Sequence, residues 1–287
     1  MNEQRSHHEA SSRQADLLSI AALVLFVLLV YWADKAIQPV FTGSSLLITG
    51  VLLSLIPAGV WLGFFYRRDR LEPEPKGLIL QVFLLGGLLA AALGIPLVDR
   101  IYSVSSWTAQ SVIIQILGAI LVVGFSQEFL KYAAVRFSVF ASGEFDELVD
   151  GIIYGTAAGL GFAAVLNVAF VINSGGVDLG TGVLRITITS LAHASFGGIT
   201  GYFLGVEKFR SKPAWWTALG VGLAAILNGL FFFMRTNISQ GALSNSGDQV
   251  SRWLGLILAA VLAGIVTTFL SNAIKRQMQS APAAKEG

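Results

Sequence analysis

The chain has no cysteine, three histidines and seven prolines in 287 residues, and only 13% of its residues are charged. Without cysteine there can be no disulfide, no thiolate nucleophile and no Cys-ligated metal. Soluble domains normally carry about 25% charged residues, so the charges present cannot cover a globule of this size. A soluble enzyme and a disordered chain are therefore excluded. The net charge of +2 offers little to a polyanion, and nucleic acid is not a partner. What is abundant is apolar surface. Hydrophobic residues make up 54% of the chain, and the partner such a surface requires is the lipid bilayer.

A helix needs about 20 mostly apolar residues to cross the ~30 Å hydrocarbon core. Eight stretches meet this: 16–32, 46–66, 78–98, 111–137, 151–173, 181–205, 213–234 and 253–274. The first also follows basic residues, as a signal peptide would. However, Asp34, Lys35 and Ala36 make a poor cleavage site after Trp32, so it reads as an anchor. With eight spans the termini share a side. That side collects Arg5, Arg13, Arg67, Arg68, Arg70, Lys76, Arg136, Lys208, Arg210, Lys212, Lys275, Arg276 and Lys285. The other side holds Lys35, Arg100, Arg185, Arg235 and Arg252. The positive-inside rule then places both termini in the cytoplasm. The expected fold class is all-α, a polytopic membrane bundle of eight helices.

Residues 1–15 read as a disordered cytoplasmic tail and 275–287 as a second cytoplasmic tail, flanking one membrane domain over 16–274. Pro73 and Pro75 mark a charged loop before the third span, and Glu144, Asp146, Glu147 and Asp150 an acidic loop before the fifth. No internal repeat is evident, and no Pro-broken helix lies near the polar positions, which counts against a transporter. Gly151, Gly155 and Gly159 line one face of the fifth span, and Gly197, Gly201 and Gly205 one face of the sixth. Small residues at this spacing let helix backbones approach closely in lipid.

Ionisable groups at membrane depth are costly and usually face the bundle interior. Here they are few. The fourth span contributes Gln127, Glu128 and Lys131, the fifth Asn167, the sixth His193 and the seventh Asn228. Glu128 and Lys131, three residues apart, share a helix face and can neutralise each other. Counted from their cytoplasmic ends, Asn167, His193 and Asn228 lie ~22–26 Å deep, whereas Glu128, eight residues from Arg136, lies ~12 Å deep. A carboxylate and an imidazole at one level can activate water, the first as base and the second as proton donor or oxyanion partner. The bland alternative is a self-neutralised ion pair and a hydrogen-bonded bundle histidine. Competing chemistries lack their residues: there is no His-Glu-x-x-His motif, no Gly-Asp pair within a span and no serine in a nucleophile elbow. One histidine with one carboxylate is a poor zinc site, so no metal or other cofactor is expected.

At these positions the chain resembles the PrsW family of glutamic-type intramembrane proteases, distantly akin to the CAAX-processing and bacteriocin-immunity superfamily. The likeness runs through Tyr66, Arg67, Arg68 and Asp69, then Glu74 and Pro75, then Leu84, Leu85 and Gly86. Phe125, Gln127, Glu128 and Lys131 are similar to the family's Glu-Glu-x-x-Lys motif. The most specific stretch runs from Phe145, Asp146 and Glu147 through Asp150, Gly151, Tyr154 and Gly155 to Gly159, Gly161, Phe162, Leu166 and Asn167. Blocks around His193 and around Asn228 follow in the right order, so the likeness covers about residues 62–234.

The departures fall on the catalytic motifs. Gln127 stands where the family has its first glutamate, Leu166 where it has another, and Asn228 where it has a histidine; Glu128 and His193 are kept. The resemblance implies an intramembrane endopeptidase of the bacterial cell membrane acting on membrane-bound protein substrates, anti-sigma factors among them. Glu128 and His193 would then be catalytic, with Gln127, Lys131, Asn167 and Asn228 in support. The departures keep a second expectation alive: a pseudoprotease that binds a transmembrane client without cleaving it.

Overall fold

The computed structural model of the chain describes residues 2–37, 42–67, 74–107, 111–173, 179–235 and 249–280. All regular structure among these residues is helical. The elements are α1 (Asn2–Ile37), α2 (Gly43–Tyr66), α3 (Lys76–Leu89), α4 (Val104–Trp107), α5 (Val112–Gly118), α6 (Phe125–Arg136), α7 (Leu148–Asn173), α8 (Leu179–Phe209), α9 (Trp215–Phe233) and α10 (Gln249–Ser280). Short π-helical segments extend α3 (Ala90–Gly94 and Leu97–Ile101) and join α5 to α6 (Ala119–Gly124). Among the described residues five segments are long and apolar enough to cross a membrane: Gly43–Tyr66, Lys76–Ile101, Val112–Arg136, Leu148–Asn173 and Trp215–Phe233. Their outer faces carry exposed Leu84, Leu88, Ile113, Leu117 and Leu121, the composition that lipid contact demands.

Residues 2–15, polar enough to read as a free tail, instead continue α1, which begins at Asn2. Ala, Glu, Gln and Arg are good helix formers, and extending an existing helix avoids the cost of nucleation. Arg68, Asp69, Arg70 and Pro73 of the charged loop, and residues 281–287, lie outside the described residues.

α7 is the hub. Every residue from 148 to 164 is buried, as expected of a helix that is apolar all round. α2, α3 and α8 pack on it, α9 and α10 pack on α8, and α6 fits between α7 and α9. The glycine rows face each other across the α7–α8 contact. A Cβ on Gly151 would collide with the Gly201 carbonyl, one on Gly155 with that of Gly197, and one on Gly159 with that of His193. On another side of α7, a Cβ on Gly161 would collide with the Phe83 carbonyl, and one on Gly86 with that of Ala158. Two backbones therefore touch α7 directly.

The ends are tied by polar contacts. Asp150 accepts hydrogen bonds from the Asp146 and Glu147 backbone N–H groups at 2.8 and 2.5 Å, capping the first turn of α7. Buried Glu74, just before α3, accepts from the Tyr154 hydroxyl. The Lys208 ammonium donates to the Phe140 and Phe145 carbonyls at 2.8 and 2.5 Å, closing the loop between α6 and α7. Glu207 accepts from Arg136 at 3.2 Å and from the Thr217 hydroxyl, so the ends of α6, α8 and α9 meet at one level.

Gly155→Ala should cost about 1–3 kcal/mol, because the added methyl forces α7 and α8 apart. Gly63→Ala in α2, whose Cβ would meet nothing within 4 Å, should be neutral or slightly stabilising. Thermal unfolding of the two detergent-solubilised variants against the unsubstituted chain checks both.

Candidate active site

The π-helical segment Ala119–Gly124 leads directly into the polar turn of α6. One π turn inserts a residue relative to α-helical register and so rotates everything after it by about 100°. The segment also lies backbone to backbone on α9. A Cβ on Gly124 would collide with the Ala225 carbonyl, and one on Gly229 with the Ile120 backbone. This closeness brings the Asn228 side chain onto two successive residues of α6. Its Nδ2 donates to Gln127 Oε1 at 3.0 Å and to Glu128 Oε1 at 2.7 Å.

Glu128 is fully buried, and its Oε1 also accepts from the Lys131 ammonium at 2.6 Å. Lys131 is itself 1% exposed. Breaking such a pair leaves a lone buried charge, so both members depend on the contact. Glu128 Oε2 is buried and has no hydrogen-bond partner. One carboxylate oxygen is thus fixed by two donors while the other keeps its lone pairs free.

His193 sits among aromatic rings. Phe162 stacks on its imidazole with centroids 5.9 Å apart, and Phe196 and Phe231 present edges at 6.4 and 6.3 Å. Its Nδ1 is buried and unpartnered. Phe162 also lies 5.5 Å from the Lys131 ammonium, so one ring touches both the ion pair and the histidine. Gly94 makes room for that ring, which a Cβ there would strike.

The level shared by Arg136, Glu207 and Thr217 gives a common origin for depth. From it, Glu128 lies ~12 Å along α6, Asn228 ~16 Å along α9 and His193 ~21 Å along α8. The expected offset between Glu128 and Asn228 thus shrinks to a distance their side chains span, because α9 starts shallower than counting from Lys212 placed it. His193 lies one to two turns beyond the Gln127, Glu128 and Asn228 layer. Asn167 belongs elsewhere: its amide donates to the Ile186 carbonyl at 3.2 Å and to Ser190 Oγ at 3.1 Å, joining α7 to α8.

Of the positions singled out in the sequence, Gln127, Glu128, Lys131 and Asn228 form one hydrogen-bonded cluster. His193 adjoins it through Phe162, and Asn167 stands apart. Sequence reasoning gave Phe162, Phe196, Phe231 and Ser190 no role. An apolar ring or a serine inside a membrane helix carries no signal until its neighbours are known.

The protein so defined is an integral membrane helix bundle with a buried carboxylate–ammonium pair and a buried imidazole one to two turns away. A family model described as PrsW family intramembrane metalloprotease matches residues 74–262, more than half of the chain and well into α10. The chain belongs to the PrsW family. It is 30% identical over 213 residues to Protease PrsW of Oceanobacillus iheyensis, covering 71% of this chain and 93% of that protein. It is 29% identical over 195 residues to Protease PrsW of Bacillus subtilis, covering 66% and 85%, and 33% identical over 166 residues to that of Geobacillus kaustophilus, covering 56% and 70%. No solved structure matches the chain. With apolar helices and bacterial relatives, the chain is an integral membrane protein of the bacterial cell membrane.

The family description names a metal, and the residues here do not fit one. Among the described residues no three His, Asp or Glu side chains come together as a ligand set. The one carboxylate of the cluster already holds an ammonium at 2.6 Å, and its neighbours Gln127 and Asn228 are neutral amides, weak donors for zinc.

Lys131→Met should destabilise the protein by about 3–5 kcal/mol by leaving Glu128 buried without its counter-ion. Adding Glu128→Gln should recover most of that loss. Denaturant unfolding in micelles reads both, and equal stability of the single and double variants would show that an unpaired buried carboxylate is not what destabilises Lys131→Met.

Proposed function

We propose that this chain is an intramembrane endopeptidase for membrane-bound protein substrates, with Glu128 as general base. The observation that carries the reading is the unpartnered Oε2 of a fully buried carboxylate whose other oxygen is held by Lys131 and Asn228. A water hydrogen-bonded to Oε2 would give it a proton as the water oxygen adds to the scissile carbonyl carbon. Collapse of the adduct would break the C–N bond, and the same proton would pass to the leaving nitrogen. His193, one to two turns deeper, would face the carbonyl oxygen and stabilise its developing charge. The axial offset between Glu128 and His193, less the reach of the glutamate side chain, would be bridged by a water and a carbonyl in series. Gln127, Lys131 and Asn228 hold the base in place, and Asn167 keeps α8 in register behind His193.

A second reading has its own support: Gln127, Leu166 and Asn228 are uncharged where the family motif is ionisable, and the remaining carboxylate is neutralised by Lys131. On that reading the site binds a transmembrane client without cutting it. Reconstitution in liposomes with single-span substrates separates the two. An active enzyme should lose at least about a hundredfold in rate in Glu128→Gln and markedly in His193→Ala. Cleavage untouched by both substitutions would sink the site. No cleavage by the unsubstituted chain, with activity appearing in Gln127→Glu plus Asn228→His, would establish the binding-only reading. Anti-sigma factors are the substrate or client class that the resemblance suggests.

The proposed topology is a single membrane domain over 16–274 with eight spans and cytoplasmic termini. The absence of cysteine makes it easy to test. Single cysteines in Ser6→Cys and Ala284→Cys should react with a membrane-impermeant maleimide only after the cells are permeabilised. A cysteine at Ser105, between the third and fourth spans, should react in intact cells.

A further inference from the structure

Arg185, Thr189 and His193 recur every four residues on α8 and so lie along one of its faces. Arg235, just past α9, reaches across to this row, and its Nη1 donates to the Thr189 hydroxyl at 3.3 Å. Thr189 is fully buried, so the Arg235 guanidinium is anchored inside the bundle one turn from His193. Arg185 is the next turn along the row and has Arg235 as its charged neighbour. Two cations from two helices therefore lie within ~12 Å of the imidazole along the helix axis.

Their surroundings are aromatic. The Arg185 guanidinium stands 3.5 Å from the centroid of Phe170, and Arg235 lies 5.7 and 5.9 Å from those of Phe231 and Phe232. Phe231 also packs edge-on against His193. Stacking on rings fixes a guanidinium plane without occupying its N–H donors. The Nε atoms of both arginines are buried and have no hydrogen-bond partner. Among the described residues neither arginine forms an ion pair; the ion pairs there join Lys131 to Glu128 and Arg136 to Glu207. Like charges held together in an apolar setting are unfavourable unless an anion joins them. The group that matches two oriented guanidinium forks is a planar oxyanion held by paired N–H···O bonds.

We propose, building on the reading that the site takes a membrane-bound protein segment, that Arg185 and Arg235 form a specificity subsite for an aspartate or glutamate side chain of that segment. A peptide carboxylate fits better than a lipid phosphate, because Arg235 is anchored to a buried threonine on the row that leads to His193. The acidic side chain would then set the register of the bound segment against Glu128 and His193.

The test uses the full chain in phosphatidylcholine nanodiscs. Two fluorescent single-span peptides carry Asp or Asn at one position near an end of the apolar stretch, and the pair is moved along in one-residue steps. The Asp peptide should bind about tenfold more tightly than its Asn partner at one register. The preference should vanish in Arg185→Gln plus Arg235→Gln and persist in weakened form in Arg185→Lys plus Arg235→Lys. The lysine variant keeps the charge and covers the case in which the glutamine variant does not fold. Equal binding of both peptides at every register, or a preference indifferent to the arginines, overturns the subsite while leaving client binding intact. Loss of the preference in discs containing phosphatidylglycerol also overturns it, by assigning the pair to lipid phosphate. Failure of either peptide to bind overturns client binding itself, and the subsite with it.

Discussion

α7 occupies the centre of this bundle because its glycines let neighbouring backbones touch it. In lipid, burial of apolar surface does not drive helices together, since the tails are as apolar as leucine. Close packing has to supply the attraction, and it is strongest where nothing separates two backbones. Gly151, Gly155 and Gly159 meet α8 in this way, and Gly161 meets α3. The position of His193 follows, because Gly159 lies against the carbonyl of that very residue. The same device at Gly124 and Gly229 brings α9 against the turn that carries Glu128. The polar groups are located by places where side chains are missing.

The polar cluster has a different logic from the packing around it. A carboxylate buried at this depth needs a counter-ion, and Lys131 on its own helix is the nearest source. Asn228 adds a second donor to the same oxygen and ties it to a neighbouring helix. That arrangement makes Glu128 rigid and keeps its second oxygen available. It also uses up the negative charge that a metal ion would require, consistent with the absence of a three-ligand group among the described residues. His193 stays in an aromatic box, so its environment is set by rings rather than by charged partners in direct contact.

Much of the site could be read from the chain itself. Glu128, Lys131, His193 and Asn228 stand out because ionisable and amide side chains are scarce in apolar helices, and four of the six polar positions so chosen form one cluster. Depth counting from loop charges was less exact. It separated Glu128 from Asn228, which are in hydrogen-bond contact. The error is physical: helix starts are staggered, and a polar loop residue does not mark a common plane.

The sequence by itself determined that the protein lives in lipid, that it is helical, and that it belongs with the PrsW proteases. Each of these depends on composition, run length or local motif, all of which are properties of neighbouring residues along the chain. Only the tertiary structure decided that Gln127 and Glu128 share one amide, that Phe162 adjoins both the ion pair and the histidine, and that Arg235 reaches the helix face leading to His193. Those contacts join residues about 30 to 100 positions apart. They depend on a π turn, on glycine contacts between helices and on relative helix depth, none of which a hydropathy pattern encodes.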